Sequence, residues 1–146
     1  MTQPIRVLIV DDNARSRNGL RALLGTIRLN SLAAPESSTV NKVQSEIEVV
    51  GEAANGLEAV RQAEECKPDV VLMDARMPEM NGLEATRLIK NRWPEIKIVV
   101  LTLYAAYRAE AMAAGADTFL IKGCPNKELF KAILNKAAVS IVTMTS

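Results

Sequence analysis

The sequence contains no histidine. That absence removes His-based zinc sites, serine-type catalytic triads and any phosphohistidine carried by this chain. Cysteine is scarce, with Cys66 and Cys124 alone and no metal-ligand spacing between them. Nothing at the N-terminus reads as an export signal, so both are expected to be reduced thiols of a cytoplasmic protein. Long hydrophobic runs are also missing. The N-terminus reaches the acidic pair Asp11-Asp12 too early to be a targeting or spanning segment. The final V-S-I-V-T-M-T-S at 139–146 is mildly apolar but too short to cross a bilayer. It reads as a frayed tail or the start of a truncated linker. Finally, no charge sign dominates: 18 Lys and Arg against 17 Asp and Glu leave a formal net charge of +1. A nucleic-acid surface would need a basic excess gathered on one face. The 146 residues are most economically one domain with a sizeable core.

What is present centres on Asp69 to Gly82, D-V-V-L-M-D-A-R-M-P-E-M-N-G. The apolar run Val70–Met73 with flanking breakers predicts a strand buried on both faces. Asp74 then falls at the strand's carboxyl end, where open α/β sheets place their chemistry. Taken alone, Asp74 reads more simply as a capping or loop aspartate. A second run of the same kind changes that reading: Ile5 to Val10 ends in Asp11 and Asp12. Three carboxylates at the ends of two buried strands repel one another unless a cation lies between them. Hard oxygen donors in that number suit Mg2+.

Along the rest of the chain, Asp12-Asn13 can cap a helix starting near Ala14, with Leu20, Leu23, Leu24 and Ile27 on its buried face. From about 28 to 45 the sequence reads as a polar loop or insert, with a short helical stretch around Val40 to Gln44. Ile47 to Val50 is a short strand. Asn55-Gly56 turns into a helix with Leu57, Val60 and Ala63 inward, stopped before Pro68. A helix from Gly82 to about Asn91 uses Leu83, Leu88 and Ile89. Ile96 to Leu101 is the fourth strand, ending at Thr102, and Tyr107 to Ala114 is a short helix capped by Gly115. Thr118 to Ile121 is the fifth strand, ending in Lys122. A last helix runs from Asn126 to about Ala138, with Leu129, Phe130, Ile133, Leu134 and Ala137 on one side. Strands and helices in alternation predict an α/β fold, a parallel sheet covered on both faces.

The strand ends thus offer Asp11 and Asp12, Asp74, Thr102 and Lys122. Thr102 alone fits an ordinary β-branched strand residue, and Lys122 alone a solvated loop lysine. Together they match one chemistry. A carboxylate takes a phosphoryl group as nucleophile, a divalent metal and a lysine neutralise its oxygens, and a hydroxyl donates a hydrogen bond.

The motifs V-L-I-V-D-D at 7–12, V-L-M-D-A-R-M-P-E-M-N-G at 71–82, V-V-L-T at 99–102 and G-A-D-T-F-L-I-K-G at 115–123 resemble the receiver domains of two-component response regulators. The resemblance covers nearly the whole chain apart from the insert and the last eight residues. It implies a flavodoxin-like (β/α)5 doubly wound sheet of strand order 2-1-3-4-5, over residues 1–138. It further implies that Asp74 is the phosphoacceptor, Asp12 a direct metal ligand and Asp11 its acidic partner through water. The main-chain carbonyl of Arg76 supplies another metal oxygen, Thr102 is the switch hydroxyl, Phe119 the switch aromatic and Lys122 the phosphate-contacting lysine. A plain core aromatic explains Phe119 equally well. The implied partners are a sensor histidine kinase and a second copy, docked through the surface of the fourth helix, fifth strand and fifth helix. No membrane contact is implied.

Gly123 follows the lysine where many relatives have proline, and E-V-V-G-E-A-A-N-G occupies 48–56. Both features resemble the subfamily, NarL/LuxR-type, whose receivers precede a helix-turn-helix domain. DNA contact is then expected only through an output domain outside this chain. Two other classes compete with the signalling receiver. A Mg-dependent aspartyl phosphohydrolase would want a second carboxylate just behind the nucleophile, where this chain has Ala75 and Arg76. A phosphorylation-independent binding module is the other, and the intact acidic, hydroxyl and lysine set argues against it.

Overall fold

The computed structural model describes residues 3–33, 47–77 and 80–134. Its elements, in chain order, are β1 (Ile5–Val10), α1 (Ala14–Ala33), β2 (Ile47–Ala53), α2 (Gly56–Cys66), β3 (Val70–Met73), α3 (Gly82–Arg92), β4 (Lys97–Thr102), α4 (Arg108–Ala113), β5 (Thr118–Ile121) and α5 (Asn126–Leu134). A single 3-10 turn, Ala105–Tyr107, precedes α4. The strands are parallel and ordered β2-β1-β3-β4-β5, the expected flavodoxin-like sheet.

Period-two alternation divides the core between the two faces of the sheet. Leu8, Val10, Val71, Met73, Ile98, Val100 and Phe119 pack with Ala59 of α2, Leu83 and Ile89 of α3 and Ala111 of α4. Their strand neighbours Val7, Ile9, Val70, Leu72, Val99 and Leu101 pack with Leu24 of α1 and with Leu129 and Ile133 of α5. Because both faces are covered, β3 and β4 have no exposed residue and read as continuous apolar runs. Lys97 and Thr102, at the two ends of β4, are the exceptions within it; the Lys97 ammonium donates to the Ala132 carbonyl of α5 at 2.6 Å.

Local chemistry sets the helix ends. The Asn55 side chain accepts from the Glu58 amide, and Glu58 reaches back to the amide of Ala54. Asn81 does the same for α3, accepting from Glu84 N–H. Lys67, in the left-handed region at φ 46°, closes α2 just before Pro68.

Several expectations are corrected. β2 runs to Ala53 rather than stopping at Val50, because its pairing with β1 shifts between Val7 and Leu8. Val7 faces Val49 and Leu8 faces Gly51, leaving Val50 as the extra residue of a bulge. Leu57, expected inward, is exposed, and Ala59 is buried in its place beside Ala63. β4 begins at Lys97 and includes Thr102. α4 is shorter than Tyr107–Ala114, and Ala114 caps it, followed by Gly115 at φ +108°. The backbone of α1 continues to Ala33, so the interval expected as loop is helical through 33. The helical stretch at Val40 to Gln44, the continuation of α5 through Ala137 and the 139–146 tail lie outside the described residues, as does the side chain of Ile27.

Candidate functional site

β1 and β3 lie side by side in register, with Val10 opposite Met73, so the residues that follow them emerge together. The Asp74 amide donates to the Val10 carbonyl at 3.0 Å, and the Asp11 amide to Ala53 at 3.0 Å. The sheet thereby fixes the backbone of both aspartates. Gly82, the first residue of α3, is packed so tightly under this loop that a Cβ there would collide with the Asp74 carbonyl oxygen. Its own amide donates to Ala75 at 2.9 Å. Glycine is therefore what lets α3 approach the end of β3.

Carboxylate oxygens of Asp11, Asp12 and Asp74 all lie within 4.8 Å of one another. Asp11 and Asp74 are buried and Asp12 is exposed. Lys122 arrives from the end of β5, its amide held by the Thr102 carbonyl at 2.8 Å. The Lys122 ammonium lies 2.7 Å from Asp11 Oδ2 and 3.2 Å from Asp74 Oδ2. Burial raises the Asp74 carboxyl above the usual carboxylate range; the Lys122 charge opposes this and the Asp11 carboxylate adds to it. For Lys122, burial favours the neutral amine, but the hydrogen bond to Asp11 and the charges of Asp74 and Asp11 outweigh it and hold the ammonium more firmly.

Three carboxylates face one ammonium, which leaves an excess of negative charge at a mouth built of hard oxygens. The donor set fits a divalent cation, and Mg2+ in particular, because Mg2+ keeps several waters and needs few protein ligands. Asp11, Asp12 and Asp74 are the side chains positioned to hold it.

Thr102, fully buried at the end of β4, accepts from the Tyr104 amide at 3.4 Å. Arg76 is exposed; its amide donates to Asp74 Oδ1 at 3.3 Å and its guanidinium stacks over the Tyr104 ring, 5.0 Å from the centroid. Phe119 is buried among the α2–α4 core residues, with the Arg108 guanidinium 5.0 Å over its ring. It belongs to the core but does not border the acidic cleft. That cleft, of about 280 Å³, is lined by the three aspartates, Arg76, Tyr104 and Lys122 among others.

Sequence reasoning missed three supports of the site. The Asn13 amide donates to Asp11 Oδ1 at 2.9 Å, and Arg17 Nη1 to the Asp11 carbonyl at 2.7 Å. Glu52, beyond the bulge of β2, accepts from Arg17 Nε at 2.9 Å and Arg21 Nε at 2.7 Å. The spacing of Arg17 and Arg21, one turn apart on α1, was the available signal. Tyr104 was the third, and nothing local in L-Y-A-A-Y-R reveals that Arg76 covers it.

A parallel sheet of this order carrying an acidic cluster and a lysine at its carboxyl edge is the architecture of a phosphorylatable signalling domain. Residues 36–134 match the response regulator receiver domain, and the chain belongs to that family. Among curated proteins, response regulator protein VraR of Staphylococcus aureus is 39% identical over 133 residues, covering 88% of this chain and 54% of VraR. The chain thus spans about half the length of the curated relatives it matches. Among solved structures, the signal receiver domain of NarL from Mycobacterium tuberculosis superimposes with a TM-score of 0.74 at 28% identity, covering 93% of this chain and 98% of that one. A LuxR-family two-component response regulator from Aurantimonas sp. SI85-9A1 gives 0.70 at 32%, covering 90% and 83%. The NarL/LuxR-type character expected from the residues after Lys122 and from 48–56 is thereby supported. The domain carries the aspartate cluster typical of the self-phosphorylation and dephosphorylation chemistry of receivers.

Proposed function

We propose that Asp74 accepts a phosphoryl group from the phosphohistidine of a sensor kinase and that the domain then changes its surface to control an output, transcription being the output favoured. The observation that carries this reading is the Lys122 ammonium bridging Asp11 and Asp74 beside the exposed Asp12. An Asp74 carboxylate oxygen attacks phosphorus in line; the bond from phosphorus to the kinase imidazole breaks, and its electron pair stays on that nitrogen. Lys122 sits within reach of Asp74 and neutralises oxygen charge as it develops. Asp11, Asp12, Asp74 and the carbonyl of Arg76 would hold Mg2+, which would supply further charge neutralisation and orientation. Thr102, at the end of the neighbouring strand, donates its hydroxyl to the phosphoryl group. Phe119 is assigned the accompanying switch role, in which its ring repacks as Thr102 moves.

Kinase docking falls on the groove between α1 and α5, about 250 Å³, whose apolar lining includes Leu20, Leu23, Leu101 and Leu129 and which opens beside Lys122. The altered surface is the α4-β5-α5 face, through which a homodimer forms. DNA is contacted only through an output domain; one similar structure is described as a DNA-binding response regulator of the LuxR family. The cytoplasm is the compartment proposed from the sequence. Among the described residues no helix is long and apolar enough to cross a membrane.

Intact-mass spectrometry after incubation with Mg2+ and acetyl phosphate tests the central step. One phosphoryl adduct is expected on the parent and none on Asp74→Asn. An adduct on Asp74→Asn, or none on the parent with either acetyl phosphate or a fluoroberyllate analogue, overturns it.

A further inference from the structure

The acidic cleft has a second exit besides the buried Thr102, and it runs through Arg76. Its amide is pinned to Asp74 Oδ1, yet its guanidinium rests on the Tyr104 ring at 5.0 Å. Arg76 lines both the acidic cleft and the neighbouring one of about 420 Å³, where Asp12, Asn81 and Tyr107 also lie. Arg76 and Asp12 are thus the two residues that both clefts share. Tyr104 leads directly into the 3-10 turn Ala105–Tyr107: Tyr107 N–H donates to the Tyr104 carbonyl at 3.2 Å, and the two rings meet edge to face, centroids 6.1 Å apart. The next residue, Arg108, begins α4 and lies over Phe119.

We infer that Arg76 is a phosphoryl-sensing residue whose resting place is the Tyr104 ring, and that phosphorylation of Asp74 draws its guanidinium off that ring and loosens the turn that starts α4. The inference rests on Asp74 being the acceptor. A phosphoryl group presents three acceptor oxygens two residues from Arg76, where an unmodified carboxylate presents two oxygens already shared with Lys122 and an amide. A charge-assisted, bidentate guanidinium–phosphoryl contact is stronger than a cation–π contact on a ring that is 43% exposed. The equilibrium therefore shifts toward the cleft on phosphorylation and back on hydrolysis. Tyr104 then loses the cation that holds its ring, and the segment keeps the edge contact with Tyr107, the Tyr107 amide bond to the Tyr104 carbonyl and the Thr102 hydroxyl. Arg76 is a positioning residue here, with no role in breaking the phosphorus bond.

Amide deuterium uptake over residues 104–113 tests this, measured in wild type and Tyr104→Leu, free and with Mg2+ plus beryllofluoride. The Arg76 Nε–H resonance is followed in parallel. In wild type the analogue is expected to raise uptake about two- to fivefold, the range set by losing one exposed cation–π contact. It also removes the ring-current shift of Arg76 Nε–H. Tyr104→Leu is expected to lack that ring-current shift in both states and to show the raised uptake already when free. An uptake in free Tyr104→Leu equal to that of wild type overturns the inference, as does an Arg76 resonance in wild type that ignores the analogue. Intact-mass detection of the acetyl phosphate adduct, run on the same preparations, separates this failure from that of the acceptor: a wild type with no adduct sinks both, and a wild type with adduct isolates the fault in Arg76.

Discussion

Lys122 reaches across the whole fold to Asp11: the two are 111 positions apart in the chain, and their side chains meet at 2.7 Å. The ammonium also lies 3.2 Å from Asp74, so one cation serves two buried carboxylates that would otherwise repel. Replacing it by Met, which keeps the length of the side chain, is expected to slow acetyl phosphate uptake by about 10²- to 10³-fold, the usual loss when one oxyanion donor is removed. Far-UV circular dichroism should stay that of the parent. Uptake at the parental rate would exclude Lys122 from the transfer.

Adding Mg2+ should stabilise the domain by mass action, by about 2.7 kcal/mol when the ion is a hundredfold above its dissociation constant. The rise in melting temperature is expected to vanish in the double variant Asp11→Asn, Asp12→Asn, because one carboxylate remains of the three that converge. A thermal-shift titration against Ca2+ and Mg2+ reads this directly. An undiminished Mg2+ response in the double variant would place the ion elsewhere.

Glu52 provides the clearest pH dependence away from the cleft. Burial tends to raise its carboxyl, but hydrogen bonds and charge from Arg21 and Arg17 outweigh this and hold it below the usual range. A carboxyl depressed in the folded state contributes stability above its unfolded value, and that contribution is lost as pH falls through the folded one. Because Glu52 and Arg21 are partly exposed, Glu52→Gln should cost only about 0.5–1 kcal/mol at pH 7. The gap between parent and variant in urea unfolding should begin to narrow as the pH falls through the ordinary glutamate range, about 4, and close only below the depressed folded value. A gap that persists there would mean that packing, not charge, sets the cost.

Gly82→Ala asks whether the close approach of α3 matters to the acceptor. The added methyl must displace the Asp74 carbonyl or α3 itself. A loss of about 1–3 kcal/mol is expected from overpacking, together with slower phosphoryl uptake because Asp74 moves with its backbone. Gly19→Ala, where a Cβ meets nothing within 4 Å, is the matched control and should be neutral or stabilising.

How much of this was legible follows from what kind of signal each part carries. V-V-L-M between breakers gives β3 its bounds, since a strand buried on both faces has nothing but apolar residues to show. The convergence of Asp11, Asp12 and Asp74 was legible for the same reason: charges that terminate such strands stand out. The last three residues of β2 were hidden because Gly51 and Glu52 look like a turn, whereas the bulge at Val50 lets them continue the pairing. Leu57 misled because burial in the first turn of α2 depends on how the helix is rotated on the sheet, and Ala59 and Ala63 set that rotation. The Arg76–Tyr104 stack was invisible because two residues from different loops meet only once the sheet has aligned them.

The bulge at Val50 has a further consequence. Among the described residues β2 is one of the two outer strands of the sheet, the kind of edge to which an extended chain can add. An extra residue twists that rim away from a straight template, and Glu48 adds an exposed charge to it. The irregularity that brings Glu52 to its arginines therefore also protects a signalling protein against strand-to-strand polymerisation, leaving its associations to be decided by helices and loops.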